Sequence, residues 1–433
     1  MGLAAAYRAQ QKGAEVTVLE RADRIGGMCV HFDLAGTDIE RYYHFVCSPD
    51  ETTFDYLAEL GLQDRLKWVS TKMGYFYQGH LYDWGNPIAL LKFPGLSFIQ
   101  KLRYGVHLLH AKRISNWKAY DAISSTDWLK KWIGERAYQV MWRPLFHYKF
   151  YEYENSLSAA WLGTRIKRVA LSRKSMFEER LGYLEGGSEM LLSELVRRIR
   201  ANGGAVELNS PVEQVTVEDG VDGPQVRGLR VAGQERQFDA IISTVPLPYV
   251  NELVPALPAE EAAKVAAIRN VGVVCVILKL KKAFTRNFWM NINDSRIEIP
   301  GLIEYSNLNP LDGSAIVYAP FYMPQTHPKY ARPDADFIEE TLAAMALIRP
   351  DFTRDDVIDA RASRYAFAQT VCSPGFYEAL PPMKSALHGL YLADTSHYYP
   401  EDRSISESLR VGDMLADLAL PGSFEPTQPR APG

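Results

Sequence analysis

Three groups of residues in this chain have the types and spacing for chemistry. The first is Glu20-Arg21 followed by Gly26-Gly27-Met28. An acid at the end of a strand hydrogen-bonds the ribose hydroxyls of a dinucleotide, about 20 residues beyond a glycine turn. Glu20 lies 18 residues after Gly2, which suits that geometry. Paired glycines adopt positive φ and let the backbone approach a ligand closely. The second group is Glu40-Arg41-Tyr42-Tyr43-His44. His44 can act as an acid or base near neutral pH, and Tyr42 or Tyr43 can wall a pocket. In the third, Trp142 to Tyr151, the residues Arg143, His147, Lys149 and Tyr151 set cations among aromatics. Such a set binds an anionic group, a carboxylate or a diphosphate. Plainer roles also exist: a hydrogen-bonded structural histidine for His44, and an amphipathic stretch with snorkelling cations for the third group. Neither H-E-x-x-H nor G-x-S-x-G occurs, which leaves zinc hydrolysis and an elbow-type serine nucleophile without a motif.

These residues need particular elements beneath them. Gly2 to Lys12 is a strong helix former, and Gly13 ends it. Glu15 to Leu19 follows as a short strand with Glu20 at its end. That order is the second half of a β-α-β unit. Of a G-x-G-x-x-G turn only Gly2 is present, in the place of the third glycine, where a small residue lets helix and strand pack. We read the chain as starting one strand late. On that reading the first strand and the two glycines that approach the pyrophosphate are absent, and a parallel sheet loses an interior strand. An N-terminal helix with no cofactor role is the alternative. Gly26-Gly27, six residues after the acid, argues against it.

The bulk properties narrow the class. With 433 residues, 47% hydrophobic and 23% charged, the chain reads as a globular protein of two or three domains. A net charge of −4 gives no general pull toward nucleic acid, and no nucleic-acid partner is expected. Cys29, Cys47, Cys275 and Cys372 form no C-x-x-C pair; a reducing, cytoplasmic compartment suits them better than a disulfide framework. The N-terminal residues show no basic segment followed by an apolar one, so no signal peptide is expected. Val271 to Leu278 is too short to cross a bilayer and reads as a buried strand. The Pro/Gly/Thr-rich residues 421–433 read as a disordered tail.

Four stretches carry a resemblance. One is Gly2 to Met28. Another is Gly182-Tyr183-Leu184-Glu185-Gly186-Gly187-Ser188-Glu189-Met190, continuing through a helix and Gly203-Gly204 to the strand at Val212. The third is Phe238 to Pro246, and the fourth is Gly389-Leu390-Tyr391-Leu392-Ala393-Asp394 with the loop to Arg403 and the helix from Ser404. On these, the sequence resembles the flavoprotein superfamily of amine oxidases, protoporphyrinogen oxidases, phytoene desaturases and UDP-galactopyranose mutases, along most of the chain to about Leu420. The resemblance implies an α/β fold: a discontinuous Rossmann-type FAD-binding domain with an inserted α+β substrate domain. It implies FAD as cofactor, held by Gly2, Glu20, Arg21, Gly26, Gly27, Met28, Val212, Asp394, Ile405 and Ser406. It places Val212 by the adenine, Asp394 by the ribityl or pyrophosphate, and Ile405 and Ser406 at a helix N-terminus aimed at the flavin, where free N–H groups stabilise negative charge. It also puts His44 and Tyr43 near the flavin ring as the catalytic candidates; Arg143, Lys149 and Tyr151, from the cation-and-aromatic group above, are the substrate-binding candidates. The family's Gly-Asp ending is replaced by Ala393-Asp394-Thr395, and Cys372 lies too far upstream for a covalent flavin linkage.

The implied division is residues 1–70, 182–246 and 385–420 for FAD, and 71–181 and 247–384 for substrate. The first insert is aromatic-rich and expected to be mainly helical. The second has strand-like runs at Val271–Leu280, Ala315–Tyr322 and Val357–Phe367 and a helix near Asp336–Leu347. The expected activity is FAD-dependent removal of hydride from a C–N or C–C bond of a small, hydrophobic molecule. The competing expectations are a non-redox flavoenzyme acting on a nucleotide sugar, and a truncated pseudo-flavoprotein. Ile88 to Ile114 mixes apolar residues with Lys92, Lys101, Arg103, Lys112 and Arg113, the composition of a peripheral membrane contact or of a buried helix pair.

Overall fold

A computed structural model of the protein describes residues 1–221 and 223–421; apart from Pro421, the tail expected to be disordered lies outside the described residues. The N-terminal helix, Gly2–Gln11, forms as its alanine-rich sequence dictates and buries Leu3, Ala4, Ala5, Tyr7 and Ala9. Gly13 follows it with φ 91°. The strand Thr17–Leu19 then pairs in parallel with Ala205–Glu207. A second parallel pair joins Ile241–Ser243 to Leu390–Leu392. Among the described residues no strand bridges the two pairs. Helix Gly187–Ala201, a three-stranded antiparallel meander spanning Val212–Gly220, Gly223–Val231 and Gln234–Gln237, and the C-terminal helix Ile405–Ala419 complete this part.

A seven-stranded sheet makes the other part. Its order is Val357–Thr370, Asn270–Leu280, Ala315–Met323, Gly301–Glu304, Trp289–Asn293, Met73–Tyr77 and His80–Trp84. Strands from 73–84 and from 270–370 thus share one sheet, joined where Trp289–Asn293 runs parallel to Met73–Tyr77. Asn270–Leu280 is buried at every residue because it is paired on both sides and covered on both faces, which is why its sequence is a continuous apolar run. The helix read near Asp336–Leu347 runs from Asp334 to Ile348. The first insert corrects the mainly helical expectation at its start. Met73–Tyr77 and His80–Trp84 form a hairpin, closed by Gln78 and Gly79 at φ 50° and 79°, the two left-handed positions that a tight hairpin turn requires. Beyond it, six helices between Pro87 and Leu171 pack around a core that includes Trp117, Trp128 and Trp161.

The two parts meet along the antiparallel pair Leu66–Thr71 and Glu179–Leu184. At its end the Thr71 hydroxyl donates to the buried Glu179 carboxylate at 2.9 Å. Burial pushes the Glu179 carboxyl up to about 6, against the opposing influence of Thr71 and Arg173. A raised carboxyl costs nothing below its unfolded value, where it is neutral in both states. The cost grows as pH rises toward 6 and is constant above, at about 2 kcal/mol. Glu179→Gln keeps the acceptor and removes the charge. It is expected to raise the thermal midpoint at pH 8, with the gain vanishing by pH 4. An equal shift at both pH values, read by calorimetry, would refute this account.

Candidate functional site

The site begins with a hairpin. His31–Leu34 and Thr37–Glu40 pair antiparallel, and Glu40 ends the second strand with its side chain buried. Its carboxylate lies at the N-terminus of helix Gly187–Ala201, where Oε1 accepts the Ser188 N–H at 2.7 Å and the Ser188 hydroxyl. An anion is favoured there by the unpaired N–H groups of the first turn. Gly187 leaves room for this: a Cβ on it would sit 2.4 Å from the His31 ring. Glu40 Oε2 accepts from His44 Nδ1 at 2.6 Å, and His31 Nε2 approaches Oε1 at 3.6 Å while Asp38 holds its Nδ1 at 3.0 Å. His44 Nε2 points to the Cys29 thiol at 3.7 Å.

These contacts set the charges. Burial works against an imidazolium at His44, but Cys29 and Glu40 outweigh it and hold its pKa well above the ordinary histidine value. Burial likewise opposes ionised Glu40, and His44, His31 and Ser188 outweigh that, holding the carboxyl well below the usual range. The result is an imidazolium–carboxylate pair. With 23% of its side chain exposed, His44 opens onto a narrow cleft lined by Glu40, Tyr183, Ser188, Tyr305 and Ile405. A proton held on such a ring is available to a bound molecule, and the carboxylate behind it fixes the ring's orientation.

Of the expected cofactor residues, Ile405 lines this cleft. Gly2 starts the N-terminal helix, and a Cβ there would lie 2.9 Å from the Thr244 hydroxyl. Glu20 is partly exposed, and its carboxylate accepts the Ala22 N–H at 2.9 Å; Arg21 lies over the Tyr249 ring. Gly26 and Gly27 take φ 121° and 58°, and Met28 packs against the hydrophobic cluster that includes Tyr42. Val212 opens the meander. Ile405 lines the cleft, and Ser406 is buried in the first turn of the C-terminal helix, whose cap is Ser404, bonded to the Glu407 N–H at 3.0 Å. Asp394 departs from its expected part. Its buried carboxylate is taken up by the Leu247 N–H at 2.9 Å, the Ser396 N–H at 2.8 Å and the Ser396 hydroxyl, so it ties the end of one parallel pair to the loop after the other. The ribose-type acid, the left-handed glycine pair and a helix N-terminus with free N–H groups together fit a dinucleotide cofactor.

Tyr43 packs edge-on against Trp289 and Tyr318 at 5.6 Å and so joins the site to the large sheet. The third group does not assemble as expected. Arg143 is exposed and bonds Gln139 at 3.3 Å; Tyr151 stacks on the exposed His147 and meets His327. Lys149 alone points inward and is buried. A helix separates these side chains: Arg143 and Lys149 are six positions apart, which turns them roughly 120°, a third of a turn, away from each other. Ser188, His31 and Cys29 are site residues that motif reading did not single out; Glu40 was named only as part of its pentapeptide, and its i, i+4 spacing to His44 was the visible signal of their pairing.

The chain is similar to known proteins in sequence and in fold. The family profile described as flavin-containing amine oxidoreductase matches residues 2–401. The 15-cis-phytoene desaturase of Synechococcus elongatus is 26% identical over 275 residues, spanning 59% of this chain and 57% of that protein. The chain thus spans little more than half of that relative's length. The chloroplastic/chromoplastic 15-cis-phytoene desaturase of Solanum lycopersicum is 24% identical over 439 residues, 90% of this chain and 71% of that protein. Among solved structures, the cyclohexylamine oxidase of Brevibacterium oxydans superposes with a TM-score of 0.71 at 15% identity, covering 96% of both chains, a likeness of fold.

The charge pair predicts a pH signature. His44, with its pKa raised, stabilises the fold fully below the ordinary histidine value near 6.5, and this is lost as pH rises through the folded value. Glu40, with its pKa depressed, stabilises fully above the ordinary value near 4.5, and this is lost as pH falls through the folded value. The pair contributes most between those limits. Glu40→Gln is expected to cost roughly 2 kcal/mol or more inside that window and less on either side. Urea titrations from pH 3 to pH 9 measure it; a loss independent of pH would contradict the pairing.

Proposed function

The chain belongs to the flavin-containing amine oxidoreductase family, whose cofactor is FAD, and we propose that it removes hydride from a C–N or C–C bond of a small, hydrophobic substrate. Bound FAD supplies the hydride acceptor. In this reading Gly2, Glu20, Arg21, Gly26, Gly27, Met28, Val212, Ile405 and Ser406 hold it, on segments 1–70, 182–246 and 385–420. Segments 71–181 and 247–384 cover the substrate. The observation that carries the reading is the imidazolium of His44, fixed by Glu40 in the same cleft as Ile405. His44 would hold or deliver the proton that accompanies turnover, and Tyr43 would wall the pocket and exclude water. Flavin absorbance bands that bleach anaerobically with a reducing substrate are the expected result. Protein that folds without retaining flavin, or that binds UDP-galactopyranose with no net oxidation, would overturn it.

We also propose peripheral contact with the anionic inner face of a membrane, in a cytoplasmic protein. No helix among the described residues is long and apolar enough to cross a bilayer. On helices Pro87–Lys92 and Phe98–Arg113, however, Ile88, Leu91, Phe98, Ile99, Leu102, Val106 and Leu109 are all between 51% and 70% exposed. Tyr104, His107 and Ala111 form the opposite, buried face. The apolar residues outside the core-facing stripe lie open, which supports the membrane reading over the buried-pair alternative. From Asp83 to Asp121 the sequence has no acid between, but includes Lys92, Lys101, Arg103, Lys112, Arg113 and Lys118, in a chain of net charge −4. An apolar face ringed by cations matches an anionic bilayer surface. Flotation with phosphatidylglycerol vesicles is expected to carry the protein upward at low salt. The Leu102→Glu, Val106→Glu double variant should remain at the bottom. Equal behaviour of the two proteins would remove the proposal.

A further inference from the structure

We propose that Lys149, Arg403 and Arg165 form a buried receptor for one anionic head group, a carboxylate or a phosphate, on an otherwise apolar ligand. That this ligand is the substrate rests on the oxidoreductase reading above; the binding itself does not.

The three most buried lysines make the case by contrast. Lys279, 6% exposed, bonds Asp312 at 2.7 Å and the Ala35 carbonyl at 3.0 Å. Lys329, also 6% exposed, bonds Glu298 at 3.0 Å and Glu340 at 2.5 Å. These are structural lysines, each compensated by carboxylates, as buried charges ordinarily are. Lys149 is 4% exposed, and no hydrogen bond or ion pair reaches it among the described residues. Its Nζ is surrounded instead by the rings of Phe150, Trp161 and Tyr322, with centroids at 5.4, 5.5 and 5.1 Å. An aromatic cage favours a cation but does not neutralise it.

The neighbours deepen the imbalance. Arg403 shares the Tyr322 ring, 5.9 Å from its centroid, and donates to the Ala368 carbonyl and the Tyr322 hydroxyl. Its Nε is buried with no partner. Asp402 is the carboxylate that acts on these groups. Its Oδ2 is used by Arg165 at 3.2 Å, and its Oδ1 is buried without a partner. Three cations therefore face one acid. Burial first, then Arg165 and Arg403, holds the Lys149 amine well below its ordinary pKa, with Asp402 opposing. The titratable groups around it are Arg165 on helix Ala159–Leu171, Asp402 and Arg403 on the loop before the C-terminal helix, Tyr322 on the large sheet, and Cys372. Arg403 is two residues before Ile405, and the Tyr43 hydroxyl feels both Arg165 and Arg403. The receptor therefore adjoins the His44 cleft. An arriving anion supplies the missing charge and returns a proton to Lys149.

Isothermal titration of the FAD-loaded protein with sodium decanoate and with decyl phosphate tests this, each at pH 8 in HEPES and in Tris. The Leu102→Glu, Val106→Glu background removes adsorption at the outer apolar face. We expect at least one of the two anions to bind, the heat in the two buffers to report proton uptake, and decyltrimethylammonium not to bind. Whichever anion binds identifies the head group. Lys149→Met should weaken binding at least tenfold and abolish proton uptake, and Lys149→Arg should restore binding without the uptake, because a guanidinium stays charged. Flavin absorbance checks that both variants hold cofactor. Binding unchanged in Lys149→Met, or no binding by either anion, would overturn the proposal. Anion binding in protein that holds no flavin would instead retain the receptor and sink the oxidoreductase reading.

Discussion

The buried carboxylate of Glu40 is the constraint on which the rest of the site depends. A buried anion is tolerated only if its oxygens are matched by donors. Glu40 obtains them from the first turn of helix Gly187–Ala201 and from the His44 imidazole, with His31 Nε2 3.6 Å away as a neighbouring charge. Its own backbone carbonyl accepts the Tyr318 hydroxyl at 2.6 Å from the large sheet. One residue thus fixes three bodies that are far apart in sequence: the hairpin after the glycine pair, the helix after Gly186-Gly187, and the sheet that covers the cleft. Loss of any donor would leave the charge unmatched, so the orientation of His44 and the docking of the sheet are coupled through the same side chain.

Much of the fold was legible in the sequence, and the reason is local. The N-terminal helix, the strand before Glu20, the continuous apolar run at 270–280 and the helix near 336–347 each express a period or a cap within a short window. The hairpin at 73–84 had its own signal in Gln78-Gly79, hidden by the aromatic density around it. The site was legible only in part. His44 and Glu40 share one pentapeptide, so their pairing could be guessed from spacing. Lys149 could be named as a cation among aromatics, but its true neighbours are Arg165, Asp402 and Arg403, the last two about 250 residues away. Nothing in a local pattern reports such contacts. Arg143 was grouped with Lys149 by sequence proximity, and helical phase turns it away.

The same distinction separates Asp394 from Glu20. Both follow a strand of a parallel pair, and both read as cofactor acids. Asp394 spends its carboxylate on Leu247 and Ser396, which makes it a positioning group for the loop that leads into the C-terminal helix. Glu20 uses only the Ala22 N–H and stays partly exposed, which leaves oxygen lone pairs toward solvent and toward any ribose beside it. Position in a motif nominates a residue, whereas the remaining hydrogen-bond capacity decides what it can still do.

The helical layer between residues 98 and 171 carries both the proposed membrane face and the proposed anion receptor. Tyr104, Ala111, Trp128, Phe150 and Trp161 belong to one core. The exposed apolar face of helix Phe98–Arg113 lies on one side of that core, and the ring cage of Lys149 lies within it. An apolar ligand passing from a bilayer into such a layer exchanges one low-dielectric medium for another, and its chain gains little by the move. A charged head group on the same ligand would lose its hydration and gain nothing from aromatic walls. The cost falls on the head group alone, so selection must come from whatever meets it. Lys149 and Arg403, which share the single carboxylate of Asp402 with Arg165, are placed to do so.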